Sequence, residues 1–99
     1  MKRLVLSVKS LEDLTRILDF IGRNRPSAAV RFVESIEQRC ELLASFPELG
    51  MKREDLGADI RLFAFRGYGI YYRNLEDRVR IERVLHGAID VTAISFGDA

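Results

Sequence analysis

The sequence predicts an α+β fold in which a small antiparallel sheet packs against a hairpin of two α-helices. Two observations carry this prediction. Apolar side chains recur at helical spacing from residue 11 to residue 43, and three short runs rich in aromatic and β-branched residues follow between residues 60 and 85. Glycine or polar turn residues separate these runs, as is typical of an antiparallel meander. A short apolar run near the N-terminus adds a further strand.

The first two elements are a strand and a helix. The strand is predicted from the apolar run Leu4, Val5, Leu6 and Val8. Ser10 followed by Asp13 matches a helix start, since such side chains satisfy free backbone amides of the first turn. The apolar face of this helix consists of Leu11, Leu14, Ile17, Leu18 and Ile21. Gly22 is the expected stop.

The second helix begins at Pro26, where the missing amide costs nothing, and ends before Pro47. Its apolar face consists of Ala29, Phe32, Val33, Ile36, Cys40 and Leu43. We interpret this face as core and Cys40 as buried filler, not as a nucleophile. The short link between the helices implies an antiparallel hairpin.

A loop is expected from Pro47 to Asp59, followed by the meander. Arg66 and Gly67 are the predicted tight turn between its first two strands, with Gly67 supplying a positive φ. Alternation along the middle strand puts Tyr68, Ile70 and Tyr72 on one face. Alternation along the last strand puts four side chains on one face of the sheet: Val79, Ile81, Arg83 and Leu85.

Composition limits the classes of function. The chain has 99 residues, which suits one domain over residues 1–99, and 16 basic against 15 acidic residues leave a net charge of +1. A polyphosphate binder is usually far more basic, so a protein target is favoured. One cysteine and one histidine cannot build the usual zinc site, and we expect no metal and no cofactor. The N-terminal apolar run is too short for a membrane span, so we expect a cytoplasmic protein.

Cationic and aromatic side chains on or beside the meander are the candidates for function. They are Arg61, Arg66, Tyr71, Arg73, Arg83 and His86. Arg61 and Arg83 stand in apolar runs, where a guanidinium without a partner is costly. The set could stabilise a pentavalent phosphate during RNA cleavage, with His86 or a tyrosine moving protons. It could equally be structural, the arginines pairing with acidic residues: Asp59, Glu82 or Asp90.

The order of elements and several motifs resemble the RelE/ParE superfamily of bacterial type II toxins. The resemblance spans nearly the whole chain and includes the turn Phe46–Gly50, the segment Tyr68–Arg73 and the block Arg83–Ala88 followed by Asp90. That last block, coming after a Tyr-Arg strand, looks like the ParE branch. The resemblance implies a toxin that a cognate antitoxin neutralises by wrapping a C-terminal segment around it.

The resemblance to the ParE branch implies that the chain binds DNA gyrase and traps its cleaved-DNA complex without itself cutting nucleic acid. It would contact nucleic acid only indirectly, through the antitoxin or gyrase. We expect the residues that contact the target or the antitoxin to be Arg61, Arg66, Tyr71, Arg73, Arg83, His86 and Asp90. Hypothesis one places the gyrase-facing surface at the last strand, at residues 86–90 and at the tail.

Two alternatives stay open. A RelE-like toxin cleaves mRNA on the ribosome, and its catalytic residues here would be Arg61, Arg83, His86 and Glu54. The absence of a tyrosine after Tyr72 and the balanced charge make this the second choice. The other alternative is a non-toxic relative that binds its antitoxin and represses its own operon as part of the complex.

Overall fold

The computed structural model describes residues 1–97, in which two helices pack on a five-stranded sheet. The strands are β1 (Arg3–Leu6), β2 (Met51–Lys52), β3 (Ile60–Phe65), β4 (Tyr68–Asn74) and β5 (Arg78–His86). The helices are α1 (Val8–Gly22) and α2 (Pro26–Ser45), and a 3₁₀ turn spans Val91–Ala93. The α+β class and the helical hairpin are therefore confirmed.

The sheet is mixed, with strand order β1-β5-β4-β3-β2. β1 pairs with β5 in parallel, whereas the other neighbours are antiparallel. The expectation of an all-antiparallel sheet was wrong at β1, since the chain reaches β5 only after a long crossover that includes both helices. The predicted loop over residues 47–59 also contains β2, whose Met51 pairs with Leu62 of β3.

The first helix begins earlier than predicted. Ser7 is the N-cap, and its side chain accepts a hydrogen bond from the backbone N–H of Ser10. Ser10 lies inside the first turn, where its hydroxyl donates to the carbonyl of Ser7 and its side chain is buried. The predicted boundaries of the second helix are confirmed, with Pro26 at its first position and Phe46 at its C-cap.

The core lies between the helices and one face of the sheet. Its buried members are Leu14, Ile17, Ile36, Cys40, Leu43, Phe65, Ile70, Tyr72, Val79, Ile81 and Val84. The predicted burial of Cys40 is confirmed. Neither α1 nor α2 packs on the opposite face of the sheet in residues 1–97, and we call it the uncovered face.

A β-bulge changes which face the last strand presents. Tyr72 pairs with Ile81 but Tyr71 pairs with Arg83, so Glu82 is an extra residue on β5. Beyond the bulge Val84 enters the core, whereas Arg83 lies across from Tyr71. The prediction that Arg83 and Leu85 share a face with Val79 and Ile81 was therefore wrong. One inserted residue inverts the alternation of all that follow it.

The hairpin turn between β3 and β4 is confirmed. Arg66 has φ 48° and Gly67 has φ 84°, so both central residues adopt the left-handed conformation of a type I′ turn. Within residues 1–97 the structure has no helix that is long and apolar enough to cross a membrane.

Candidate functional site

Arg83 is held by a carboxylate from the first helix. Its Nε and Nη2 donate to the two oxygens of Asp13 over 2.8 and 2.9 Å, and Asp13 also accepts the backbone N–H of Val84 at 2.9 Å. The Asp13 side chain is 1% exposed and that of Arg83 is 15% exposed. These hydrogen bonds, and then the Asp13 charge, raise the pKa of Arg83. The guanidinium that the sequence left unpartnered therefore has a buried carboxylate as its partner, which also accepts from Arg16 over 3.2 Å.

Arg73 joins four parts of the chain beneath the surface. Its side chain is 1% exposed, and Nη1 donates to Glu82 over 2.7 Å. Nε donates to the carbonyl of Ala58, and the terminal nitrogens donate to the carbonyls of Phe96 and Gly97. In this structure Arg73 thus fixes the tail to the sheet and presents almost no surface to a partner.

Tyr71 lies on the uncovered face under the tail. The residue is 8% exposed, and its ring contacts that of Phe96 with centroids 5.6 Å apart. Glu82 accepts from Arg80 as well as from Arg73. Of the three acidic partners expected for the arginines, Glu82 is the one that forms a salt bridge with an arginine in residues 1–97.

Arg61 lies on the helix-covered side of β3, across from Tyr72. Its Nη1 donates to the carbonyls of Gly50 and Glu48 over 2.7 and 3.3 Å. The hydroxyl of Tyr72 donates to the carbonyl of Pro47 and accepts the N–H of Gly50. Burial raises the pKa of Tyr72, opposed by the Gly50 hydrogen bond and the Arg61 charge. Together these contacts fix the Phe46–Gly50 turn.

A small polar hollow of about 160 Å³ lies beside Arg61. Its lining residues are Lys52, Glu54, Asp59, Ile60, Arg61 and Asn74. Two of the four residues proposed for RNA cleavage, Glu54 and Arg61, therefore share one site.

His86 and Arg66 lie together at the other end of the sheet. His86 pairs with Tyr68 at the end of β5, and the two rings meet edge to face with centroids 5.2 Å apart. The Nδ1 of His86 accepts the backbone N–H of Ala88 at 3.1 Å. Gly87 donates its N–H to the carbonyl of Gly67, which ties the end of β5 to the Arg66 turn.

Asp90 caps the 3₁₀ turn. Its carboxylate accepts from the Thr92 hydroxyl at 2.6 Å and from the Thr92 N–H at 3.1 Å. These two hydrogen bonds lower the pKa of Asp90. Asp90 thereby sets the direction in which the tail leaves the sheet.

The candidate residues do not form one cluster. Arg61 pairs with Tyr72 and His86 pairs with Tyr68, so the two lie about 13 Å apart along β4, with two further strand spacings between them. Arg83 lies across from Tyr71 and is bound to Asp13. The structure places Glu54 and Arg61 in one hollow, joins the turn of Arg66 to the chain just after His86 by a backbone hydrogen bond, and brings Tyr71 and Arg73 to the same tail.

Asp13 is a residue that sequence reasoning missed, since it was read only as part of a helix start. Its signal is spacing, because Ser10, Asp13, Leu14 and Ile17 are the buried residues of α1 and recur at i, i+3, i+4 and i+7. A carboxylate on such a face requires a cationic partner. Arg39, which lies over the ring of Phe65, was also missed.

Comparison with known proteins identifies a family. Residues 4–91 match the model of the ParE toxin of type II toxin-antitoxin system, parDE. This match includes both helices and all five strands except for the first residue of β1.

Individual relatives carry both branch names. The chain is 32% identical over 87 residues to Toxin RelE3 of Caulobacter vibrioides, covering 87% of this chain and 95% of that protein. It is also 32% identical over 85 residues to Toxin ParE3 of the same organism, covering 82% of each. A solved structure titled "Chromosomal ParDE TA system from P. aeruginosa" superposes with a TM-score of 0.75 at 20% identity, over 87% of this chain and 96% of that one. This last likeness concerns the fold.

Proposed function

Because the chain belongs to the ParE toxin family of type II toxin–antitoxin systems, we propose that it inhibits DNA gyrase by protein–protein contact and is neutralised by a cognate antitoxin. The observation that carries the first part is the Asp13–Arg83 pair. The Arg83 guanidinium uses two of its N–H donors on the Asp13 carboxylate, which also neutralises its charge, and so is poorly placed to hold a scissile phosphate.

The other arginines support the same proposal. Arg73 donates to Glu82 and to three carbonyls, and Arg61 donates to two carbonyls of the Phe46–Gly50 turn. His86, the candidate acid, lies at the opposite end of the sheet from Arg61. Phosphoryl transfer requires its charged groups to converge on the reacting atoms. A function in binding has no such requirement.

The surface proposed for gyrase begins at the end of β5 and continues into the tail. Residues 86–90 are exposed, and Ile89 retains 46% of its accessible surface. Asp90 and the contacts of Arg73 give the chain beyond β5 a defined path. An exposed segment with a fixed backbone loses little conformational entropy when it binds, which favours its use as a contact surface.

One assay with two targets tests the proposal. The purified chain is added to gyrase with plasmid DNA, and in parallel to ribosomes programmed with mRNA. We expect lost supercoiling and, after detergent and protease treatment, linear DNA, with intact mRNA. Cleaved mRNA beside unaffected gyrase would overturn the proposal.

The second candidate, a ribosome-dependent endoribonuclease, is favoured by one observation. Lys52 and Arg61 line the same polar hollow as Glu54 and Asp59, so two basic and two acidic residues meet there. If this hollow cleaves RNA, Glu54→Gln abolishes mRNA cleavage while the protein stays folded. A chain that leaves both gyrase and mRNA intact but binds its antitoxin would be the non-toxic relative.

A further inference from the structure

The turn after α2 presents two exposed apolar side chains on a fixed backbone. Phe46 and Leu49 retain 59% and 52% of their accessible surface. The N–H of Leu49 donates to the carbonyl of Phe46 over 3.1 Å. The hydroxyl of Tyr72, a fully buried residue, is hydrogen-bonded to the turn backbone at two points, over 2.6 and 2.9 Å. A contact surface with a fixed backbone loses little conformational entropy when it binds, so this turn is prepared for contact with another molecule.

A hollow of about 490 Å³ lies beside these two side chains. Its lining includes Lys2, Phe46, Pro47, Glu48, Leu49 and Asn74. We call these six residues the turn surface. Lys2 is held in place, because its Nζ donates to Oδ1 of Asn74 and to the carbonyl of Leu75, each over 2.7 Å. The turn surface therefore combines an apolar hollow with one positive and one negative group.

The turn surface is complementary to a second copy of itself. It has an exposed phenyl ring and a hollow, and it has a cation and an anion. In a two-fold symmetric dimer every contact between two different residues occurs twice. Lys2 can then pair with Glu48 of the second copy, and Glu48 with Lys2 of that copy. Each Phe46 ring packs into the facing hollow.

Other occupants fit the turn surface less well. Lys2 and Glu48 leave it without a net charge, so it attracts neither nucleic acid nor a strongly charged polypeptide. An apolar segment from a different protein would fill the hollow, but it would desolvate both charged groups without pairing either of them. A second copy fills the hollow and pairs both charges.

We propose that the turn surface is a self-association site through which two copies of the chain form a two-fold symmetric dimer. Two large apolar side chains per copy supply only part of the roughly 800 Å² that each partner buries in a standard interface. The dimer is therefore weak, with a dissociation constant of about 10–100 μM.

The dimer does not depend on gyrase being the target. His86, which begins the proposed gyrase-facing surface, pairs with Tyr68 at one end of β4, whereas Asn74 of the turn surface is the last residue at the other end. Dimerisation thus leaves the proposed gyrase-facing surface of both copies open. A monomeric chain that inhibits gyrase would overturn the dimer alone, and a dimer that leaves gyrase unaffected would overturn the gyrase proposal alone.

Sedimentation equilibrium of the purified full chain, from about 1 to 500 μM, tests the proposal. We expect the average mass to rise from that of one chain towards that of two. Phe46→Ser should weaken self-association about tenfold, because it removes the apolar side chain that fills the facing hollow. Phe20→Ser is the matched control, since Phe20 is 61% exposed near the end of α1 and lies outside the turn surface. Its dimer should form within about twofold of the original affinity.

Charge reversal tests the two-fold geometry. Lys2→Glu leaves only acidic charged groups on the turn surface and Glu48→Lys leaves only basic ones, so each variant alone should associate about tenfold more weakly than the original chain. An equimolar mixture of the two variants brings opposite charges together at both contacts. The mixture should therefore form a heterodimer within about twofold of the original affinity.

Three results would overturn the proposal. They are an original chain that stays monomeric at about 500 μM, which leaves the hollow to a different protein, equal losses in Phe46→Ser and Phe20→Ser, and a mixture that associates no better than its components. Thermal unfolding verifies that each variant is folded, because Lys2→Glu also loses the hydrogen bonds to Asn74 and Leu75. The phenylalanine comparison does not involve Lys2, and it decides the question if Lys2→Glu fails to fold.

Discussion

The carboxylate of Asp13 on α1 accepts both hydrogen bonds of the Arg83 guanidinium on β5, over 2.8 and 2.9 Å. The same carboxylate accepts the N–H of Val84, at the edge of β5 beyond its last pair with β1. One side chain therefore neutralises a guanidinium, satisfies a free strand amide and joins the helical hairpin to the sheet.

Asp13→Asn should destabilise the fold by about 2–4 kcal/mol, because the amide removes the negative charge and leaves Arg83 without its partner. Urea unfolding measures the loss. Glu12→Gln is the control, since Glu12 is exposed on the same helix and its replacement should change stability by less than about 0.5 kcal/mol. Equal stabilities of the two variants would show that the pair contributes little.

Arg73→Gln should release the tail. The shorter glutamine side chain cannot reach Glu82, the Ala58 carbonyl and the two tail carbonyls at once. Of the two arginines that donate to Glu82, only Arg80 then remains. We expect faster amide hydrogen exchange in residues 94–97 and a loss of about 3 kcal/mol in unfolding free energy. Arg78→Gln, which removes a surface pair with Asp77, provides the comparison. Unchanged exchange in the tail would contradict the role given to Arg73.

Tyr72→Phe should cost about 1–3 kcal/mol, since it leaves the carbonyl of Pro47 and the N–H of Gly50 without their shared hydroxyl. The effect should be local, with increased exchange at Gly50. Tyr68→Phe is the matched control, because it removes a hydroxyl from a partly exposed ring. A Tyr72→Phe protein as stable as the Tyr68→Phe protein would argue against the account of the Phe46–Gly50 turn.

Alkaline pH should destabilise the protein through Cys40. Burial, followed by the charges of Glu37 and Glu41, raises the pKa of its thiol from 9.0 to about 12. The folded state therefore keeps a proton that the unfolded chain releases, so this contribution is complete below pH 9 and is lost as the pH rises towards 12. Between these two pH values the free energy of unfolding should fall by about 1.4 kcal/mol per pH unit.

Cys40→Ala isolates this contribution. Its unfolding free energy, measured in urea from pH 8 to pH 11, should fall less steeply above pH 9 than that of the original chain. Parallel curves would mean that the thiol ionises equally in both states. The unaltered protein should also resist thiol reagents until it unfolds, as expected for an inert buried cysteine.

Local periodicity predicted most of the fold. The helical hairpin followed from two apolar faces and from Pro26 and Pro47, and the meander followed from strand composition and the Arg66–Gly67 turn. Such patterns depend on neighbours a few residues apart, which the sequence displays directly. The parallel pairing of β1 with β5 depends on the path that the chain takes between the two strands, so no local sequence pattern predicts it.

The candidate site was less predictable. The need of Arg83 for a partner followed from its apolar surroundings, but the partner lies 70 residues away in the chain and its identity depends on how α1 meets β5. The bulge at Glu82 was also beyond prediction. One extra residue leaves the composition of the strand unchanged, yet it moves Arg83 to the other face of the sheet. Ser7 and Ser10 are equally good caps by type, and tertiary contact decides between them.

A titration of gyrase-mediated DNA cleavage tests the proposed gyrase contact with three purified proteins: the original chain, Ile89→Asp and Val30→Asp. Both replaced side chains are about half exposed, but only Ile89 lies on the proposed gyrase-facing surface. We predict linear DNA with the original chain and with Val30→Asp, and an at least tenfold higher requirement for Ile89→Asp, since a desolvated charge opposes docking. An original chain that leaves gyrase unaffected at every concentration while cleaving mRNA on ribosomes would contradict the claim.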